Sequence, residues 1–97
     1  MCDTTLASPL DRFAINPLYL FRWEATQQAH VLLYPEGIVK LNETAAQIIM
    51  RCDGQRTAAE VVGELQSVYP GDDERVASGV YRFLEVFRAK GWIRRQA

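Results

Sequence analysis

Few residues in this 97-residue chain could do chemistry. His30 is the one histidine, and Cys2 and Cys52 are the only cysteines. A zinc site draws about four such ligands at short spacing, and the sequence holds no CxxC pair. Neither cysteine has a histidine close in sequence to activate it, and Cys52 ends an apolar run of helical period, so it reads as a small core residue. Asp72, Asp73 and Glu74 are consecutive, which suits the start of a helix better than a general acid/base pair. Gly37, Gly54, Gly71 and Gly91 each fall at an element boundary, and none belongs to a phosphate-binding fingerprint. No catalytic residue, metal ligand or cofactor is expected, so the chain is read as a non-enzyme that acts through its surface.

Composition agrees with a small folded domain. Hydrophobic residues make up 48% and charged residues 24%, near the globular average, so wholesale disorder is not expected. A chain this short builds one modest core. Two cysteines in different contexts do not make a disulfide framework, and both are read as thiols. No apolar run approaches the roughly 20 residues of a membrane span, and "MCDTTLASPLDRF" lacks the basic-then-apolar layout of a signal peptide. The expected location is cytoplasmic. The formal net charge of −1 gives no global pull toward nucleic acid. Local charge is uneven: "GDDE" (71–74) is acidic, while Arg88, Lys90, Arg94 and Arg95 make the C-terminus basic. Acids before a helix and bases at its end suit the helix dipole.

The elements that would position a surface site follow from periodicity. Residues 1–16, with little pattern, read as a flexible arm before a domain spanning 17–97. "LYLFRWE" (18–24) alternates, with Tyr19, Phe21 and Trp23 on one side, as a strand with one buried face does. "AHVLLY" (29–34) is a second strand and "GIVKL" (37–41) a third. "YPEG" between them places Pro35 and Gly37 where a type I turn prefers them, which predicts an antiparallel hairpin. Alternation puts Val39 and Leu41 on the core face, Ile38 and Lys40 on the other. Asn42 is a good N-cap for a helix carrying Ala45, Ile48, Ile49 and Cys52 on one face, closed by Asp53-Gly54. "TAAE" (57–60) is a capping box opening a second helix with Val61, Leu65 and Val68 inward. Asp72 or Asp73 caps a third, with Val76, Val80, Phe83, Leu84 and Phe87 as its apolar stripe. Gly91 ends it, and "WIRR" sets Trp92 and Ile93 against the core. This is an α+β domain, a three-stranded antiparallel meander followed by three helices, in a winged helix-turn-helix-like arrangement.

Two surface features remain. The third strand is an open edge, which invites pairing with another chain. On the third helix Tyr81, Glu85 and Arg88 stand at i, i+4 and i+7, off the main stripe. An edge strand beside such a helix face is what a peptide groove requires: strand backbone holds an added strand, and helix side chains select it.

The stretch "HVLLYPEGIVKLNETAAQIIMRCDGQRTAAEVVGEL" (30–65) resembles the PqqD family of pyrroloquinoline quinone (PQQ) biosynthesis. The resemblance is carried by "LLYPEG", "VKLN", "TAAQI", "CDGQRT" and "EVVGEL", and more weakly by "FRWE" and "GWI", covering about residues 17–93. Ile38 replaces an expected methionine conservatively, and residues 1–16 match nothing. The resemblance implies a peptide chaperone, a recognition element for a ribosomally made precursor, with a winged-helix-like fold. Its implied partners are the precursor peptide PqqA and the radical S-adenosylmethionine enzyme PqqE, which links a glutamate and a tyrosine of the peptide. It further implies that the precursor adds a strand to Gly37, Ile38, Val39, Lys40 and Leu41. The helix wall, carried over from topology alone, would be Tyr81, Leu84, Glu85 and Arg88. The open edge also predicts a homodimer or a monomer–dimer mixture without peptide. The alternative is a winged-helix DNA-binding protein, which needs a basic recognition helix. "AAEVVGELQSVY" has no lysine or arginine.

Overall fold

The computed structural model describes residues 8–96. Cys2 and residues 1–7 of the expected arm lie outside them. The element order is β1 (Arg12–Ile15), β2 (Leu20–Glu24), β3 (Ala29–Tyr34), β4 (Gly37–Lys40), α1 (Glu43–Ile49), β5 (Asp53–Thr57), α2 (Ala58–Val68), α3 (Asp73–Ala89) and β6 (Ile93–Gln96). The fold is α+β, with the expected meander in the order β2-β3-β4. Two-residue turns of this kind tie register to the hairpin, and here Tyr34 pairs with Gly37, Leu32 with Val39 and Val31 with Lys40.

A second antiparallel sheet, in the order β5-β1-β6, was not expected. It corrects the assignment of residues 12–16 to a loose arm. Phe13 is 3% exposed and part of the core. Asn16, also buried, donates from Nδ2 to the carbonyl of Gly91 at 2.8 Å and accepts from the N–H of Leu18 at 2.9 Å. That side chain ties the end of β1 to the start of β6 and to the entry into β2. The sheet also corrects the end of α1. The helix stops at Met50, and Asp53-Gly54 opens β5. Gly54 is in the left-handed region (φ +81) as expected, but at a bulge. Register moves from Arg12↔Thr57 to Ala14↔Asp53, and the extra residues on β5 need the turn that glycine permits.

Caps set the helices where the sequence places them. Asn42 Oδ1 accepts from the N–H of Ala45 at 2.8 Å. Thr57 and Glu60 form the reciprocal capping box, at 3.2 and 2.8 Å. Asp72 caps α3 through the N–H of Arg75. The core lies between the inner face of the meander and the helices, centred on Leu32, Ile48, Ile49, Leu65 and Leu84, each almost fully buried. The cross-strand row Phe21–Leu32–Val39 faces it. In α2 the buried face is Ala58, Val61, Val62 and Leu65, and Val68 is exposed instead of inward. Trp23, expected on a buried face, is 53% exposed.

An ion network joins the turn after α1 to β5 and α2. Glu64 accepts from Arg51 Nε at 2.9 Å and from Arg56 Nε at 2.6 Å, and Arg56 also pairs with Asp53 at 2.7 Å. The Arg56 hydrogen bond holds the Glu64 carboxyl below its ordinary 4.5, with Arg51 adding to it. The backbone N–H of Arg56 does most to lower Asp53. A carboxyl depressed in the folded state stabilises it above the unfolded pKa, and that contribution is lost as pH falls through the folded value. The Glu64 side chain is 39% exposed, so solvent screens much of it. Glu64→Gln is expected to lower the thermal midpoint at pH 7 by about 2–4 °C, the equivalent of roughly 0.5 kcal/mol. The deficit should shrink as pH falls below the ordinary value of 4.5, where the unfolded carboxyl takes up a proton, and disappear once pH has passed the lower folded value. A pH series of melting curves checks both.

Candidate functional site

β4 is the last strand of its sheet. In an antiparallel ladder residues alternate between those bonded to the partner and those turned outward. Tyr34 and Gly37 flank the turn, and beyond the far end of β4 the N–H of Leu41 donates to the carbonyl of His30 at 2.9 Å. Counting by twos between these points, Gly37, Val39 and Leu41 bond toward β3. Ile38 and Lys40 therefore direct their N–H and C=O groups away from the sheet. Their side chains stand on its outer face, where Ile38 is 48% exposed.

Beside this edge runs α3. Gly79, Arg82, Phe83, Val86 and Lys90 recur at three- and four-residue intervals and share one helix face. With Val39, Lys40 and Leu41 they line a groove of about 390 Å³, to which Phe87 and Trp92 add aromatic surface. Lys40, Arg82 and Lys90 are the charged residues of its lining, and no carboxylate joins them. Lys90 Nζ lies 5.6 Å from the centroid of the Trp92 ring, a cation–π contact that keeps the ammonium at the groove mouth. The site is an apolar trough with a basic rim and unsatisfied strand backbone along one side.

The structure brings Val39, Lys40 and Leu41 of the sequence-expected site to this groove; Gly37 and Ile38 lie farther along the same strand, and the expected helix residues do not line it. Leu84 is in the core, 1% exposed. Tyr81 and Glu85 do not line the groove; with Ser78 they line an adjoining surface that shares Arg82 and Val86 with it. Glu85 Oε1 accepts from Arg88 in an ion pair, and burial raises the Tyr81 phenol. At 3.6 residues per turn, Tyr81, Glu85 and Arg88 lie about half a turn away from Gly79, Phe83 and Val86. The buried stripe Val80, Leu84 and Phe87 runs between the two faces. Element order alone does not set the rotation of a helix about its axis; packing of that stripe does. A signal for the other face was present in Arg82, Val86 and Lys90, an apolar residue between two cations at i, i+4 and i+8.

The remaining candidates for chemistry have structural roles. The His30 ring stacks on Phe21 at 5.0 Å and meets Trp23 edge-on at 5.1 Å. Cys52 donates to the carbonyl of Ile48 at 3.4 Å. Burial, with the charge of Asp53 adding to it, pushes its thiol up to about 12. The thiolate is the reactive form, so Cys52 is expected to resist a thiol reagent at pH 8 in the native protein and to react on unfolding, which a timed labelling assay reads. Among the described residues no group of three or more histidine, cysteine or acidic side chains is placed to hold a metal ion. No helix among them is long and apolar enough to cross a membrane.

Fold and groove together define a small α+β module with an open strand edge facing one helix. The chain belongs to the PqqD family: the family model described as coenzyme PQQ synthesis protein D matches residues 29–93. It is 49% identical over 80 residues to a protein of Pseudomonas entomophila named PqqA binding protein, covering 82% of this chain and 87% of that one. A protein of the same name from Azotobacter vinelandii is 47% identical over 75 residues, covering 77% and 80%. Among solved structures, the fold resembles the solution structure of the PqqD truncation of Methylobacterium extorquens PqqCD, described as a functional and stand-alone recognition element for ribosomally synthesised, post-translationally modified peptides. The TM-score is 0.77 over 94% of this chain and 97% of that one, at 23% identity.

Proposed function

We propose that this chain binds the precursor peptide PqqA by strand addition to β4 and presents it to the radical S-adenosylmethionine enzyme PqqE. The observation that carries it is the pair of outward backbone groups at Ile38 and Lys40 beside an apolar, basic-rimmed groove. An extended peptide gains main-chain hydrogen bonds from the edge, while its alternate side chains meet α3. The basic rim favours a peptide with acidic residues near its docked segment. Membership of the PqqD family and the names of the relatives support PqqA as the ligand. Holding a flexible peptide raises its effective concentration at the enzyme. The helix wall in this proposal is Arg82, Phe83, Val86 and Lys90, in place of Tyr81, Leu84, Glu85 and Arg88.

A two-dimensional NMR titration of the labelled protein with synthetic PqqA tests it. Shifts should concentrate at Gly37 to Leu41 and along Arg82 to Lys90. Shifts confined to the Tyr81–Glu85–Arg88 face, or none at all, would reject the site. Adding PqqE to the complex should broaden the peptide signals further. The same edge suits a second copy of this chain, so a monomer–dimer equilibrium is expected without peptide and should shift to monomer as PqqA is added. Sedimentation at high concentration reads it, and a strict monomer there would reject self-pairing.

A further inference from the structure

Gly63 and Gly79 both interrupt helix interiors, and a Cβ added at either would meet nothing within 4 Å. Glycine in a helix interior is less stable than alanine, so neither position is explained by local stability or crowding. Gly63 sits on the exposed side of α2. Gly79 lies where the groove beside β4 meets a second pocket.

That second pocket, about 210 Å³, is set among the three helices and lined mainly by apolar groups that include Ile48, Leu65, Val76 and Val80, with Thr44 and Arg75 also contributing. Gly79 and Phe83 line both it and the groove, so the two spaces adjoin at these residues. Tyr69 also lines the inner pocket, and its hydroxyl is buried with no hydrogen-bond partner among the described residues. In size, an apolar cavity of about 150 Å³ already accepts a benzene ring. The pocket therefore has room for one large side chain. A strand added to β4 supplies one in the right direction, because its alternate side chains share the sheet face of Val39 and Leu41, which line the groove.

We propose that the inner pocket receives one large apolar side chain, aromatic or leucine-sized, of the peptide lying along β4, and that Gly79 is the opening through which it passes. The proposal rests on peptide binding at β4 and adds an anchor to it: the edge supplies affinity for any extended chain, and the pocket selects the register.

Calorimetry of the full chain with synthetic PqqA tests it, using Gly79→Leu, Gly79→Ala and the control Gly63→Leu. Gly79→Leu should melt at or above the wild-type temperature and yet bind at least tenfold more weakly. Gly79→Ala should lose about threefold and serves as the deciding variant if the leucine disturbs folding. Gly63→Leu should bind as wild type. A set of PqqA peptides, each with one large apolar residue replaced by alanine, should contain one that binds wild type as weakly as intact PqqA binds Gly79→Leu. That peptide should lose nothing further against Gly79→Leu, the non-additivity of two changes to one contact. Wild-type affinity in both Gly79 variants, with Ile38→Pro binding poorly, would overturn the anchor and leave strand addition standing. Wild-type affinity in all three would remove strand addition as well.

Discussion

Ile38→Pro and Lys40→Pro are each expected to weaken PqqA binding by tenfold or more, a change of about 1.4 kcal/mol or above. Both residues turn their backbone N–H away from β3. Proline at either removes a donor that an added strand would use, and its ring blocks close approach. One main-chain hydrogen bond has a net worth of about 0.5–1.5 kcal/mol, so loss of the donor combined with the steric block reaches the stated figure. Neither substitution breaks the β3–β4 ladder, since Gly37, Val39 and Leu41 carry its bonds. Val39→Pro, in contrast, would remove a bond within the hairpin and is expected to unfold part of the sheet. Lys40→Ala keeps the backbone donor and should lose far less than the proline. Calorimetry on variants with native circular dichroism decides the matter. If both outward prolines retain full affinity, the peptide does not dock on this strand.

The second large effect is expected from α3. Arg82→Glu combined with Lys90→Glu inverts two of the three charges lining the groove. The double variant should bind PqqA at least tenfold more weakly at about 0.05 M salt, and the deficit should narrow as added salt screens the new repulsion. Tyr81→Ala should lose far less, because that side chain does not line the groove and adjoins it only across Arg82 and Val86. The pair of measurements separates the two helix faces. Loss of affinity in Tyr81→Ala with none in the double reversal would return the wall to Tyr81, Glu85 and Arg88. At the exposed positions Arg82 and Lys90 the substitutions bury nothing new, but a glutamate at the C-cap of α3 opposes the helix dipole and ends the contact with Trp92, so the melting temperature should fall by a few degrees and affinity is compared well below it.

Much of the scaffold was legible because it depends on local chemistry. Asn42, Thr57 with Glu60, and Asp72 start helices by satisfying backbone donors within one turn, and each does so in the structure. "YPEG" closes a hairpin by its own turn preferences, which placed β4 as a strand and split Val39 and Leu41 from Ile38 and Lys40. The string from His30 to Leu65 carried the family. β1, β5 and β6 were not legible as a sheet. Each has only four or five residues, and β1 finds its partners about 40 and 80 positions away. Pairing of that range depends on chain closure and core packing, which leave no local pattern. Periodicity likewise gave α3 an apolar stripe but not which flank of it faces β4. Docking the stripe against the rest of the core chose that flank, and with it Arg82, Phe83, Val86 and Lys90 over Tyr81, Glu85 and Arg88. The groove exists only once two elements some 40 residues apart stand side by side, so its strand could be read from sequence while its helix wall waited for the tertiary fold.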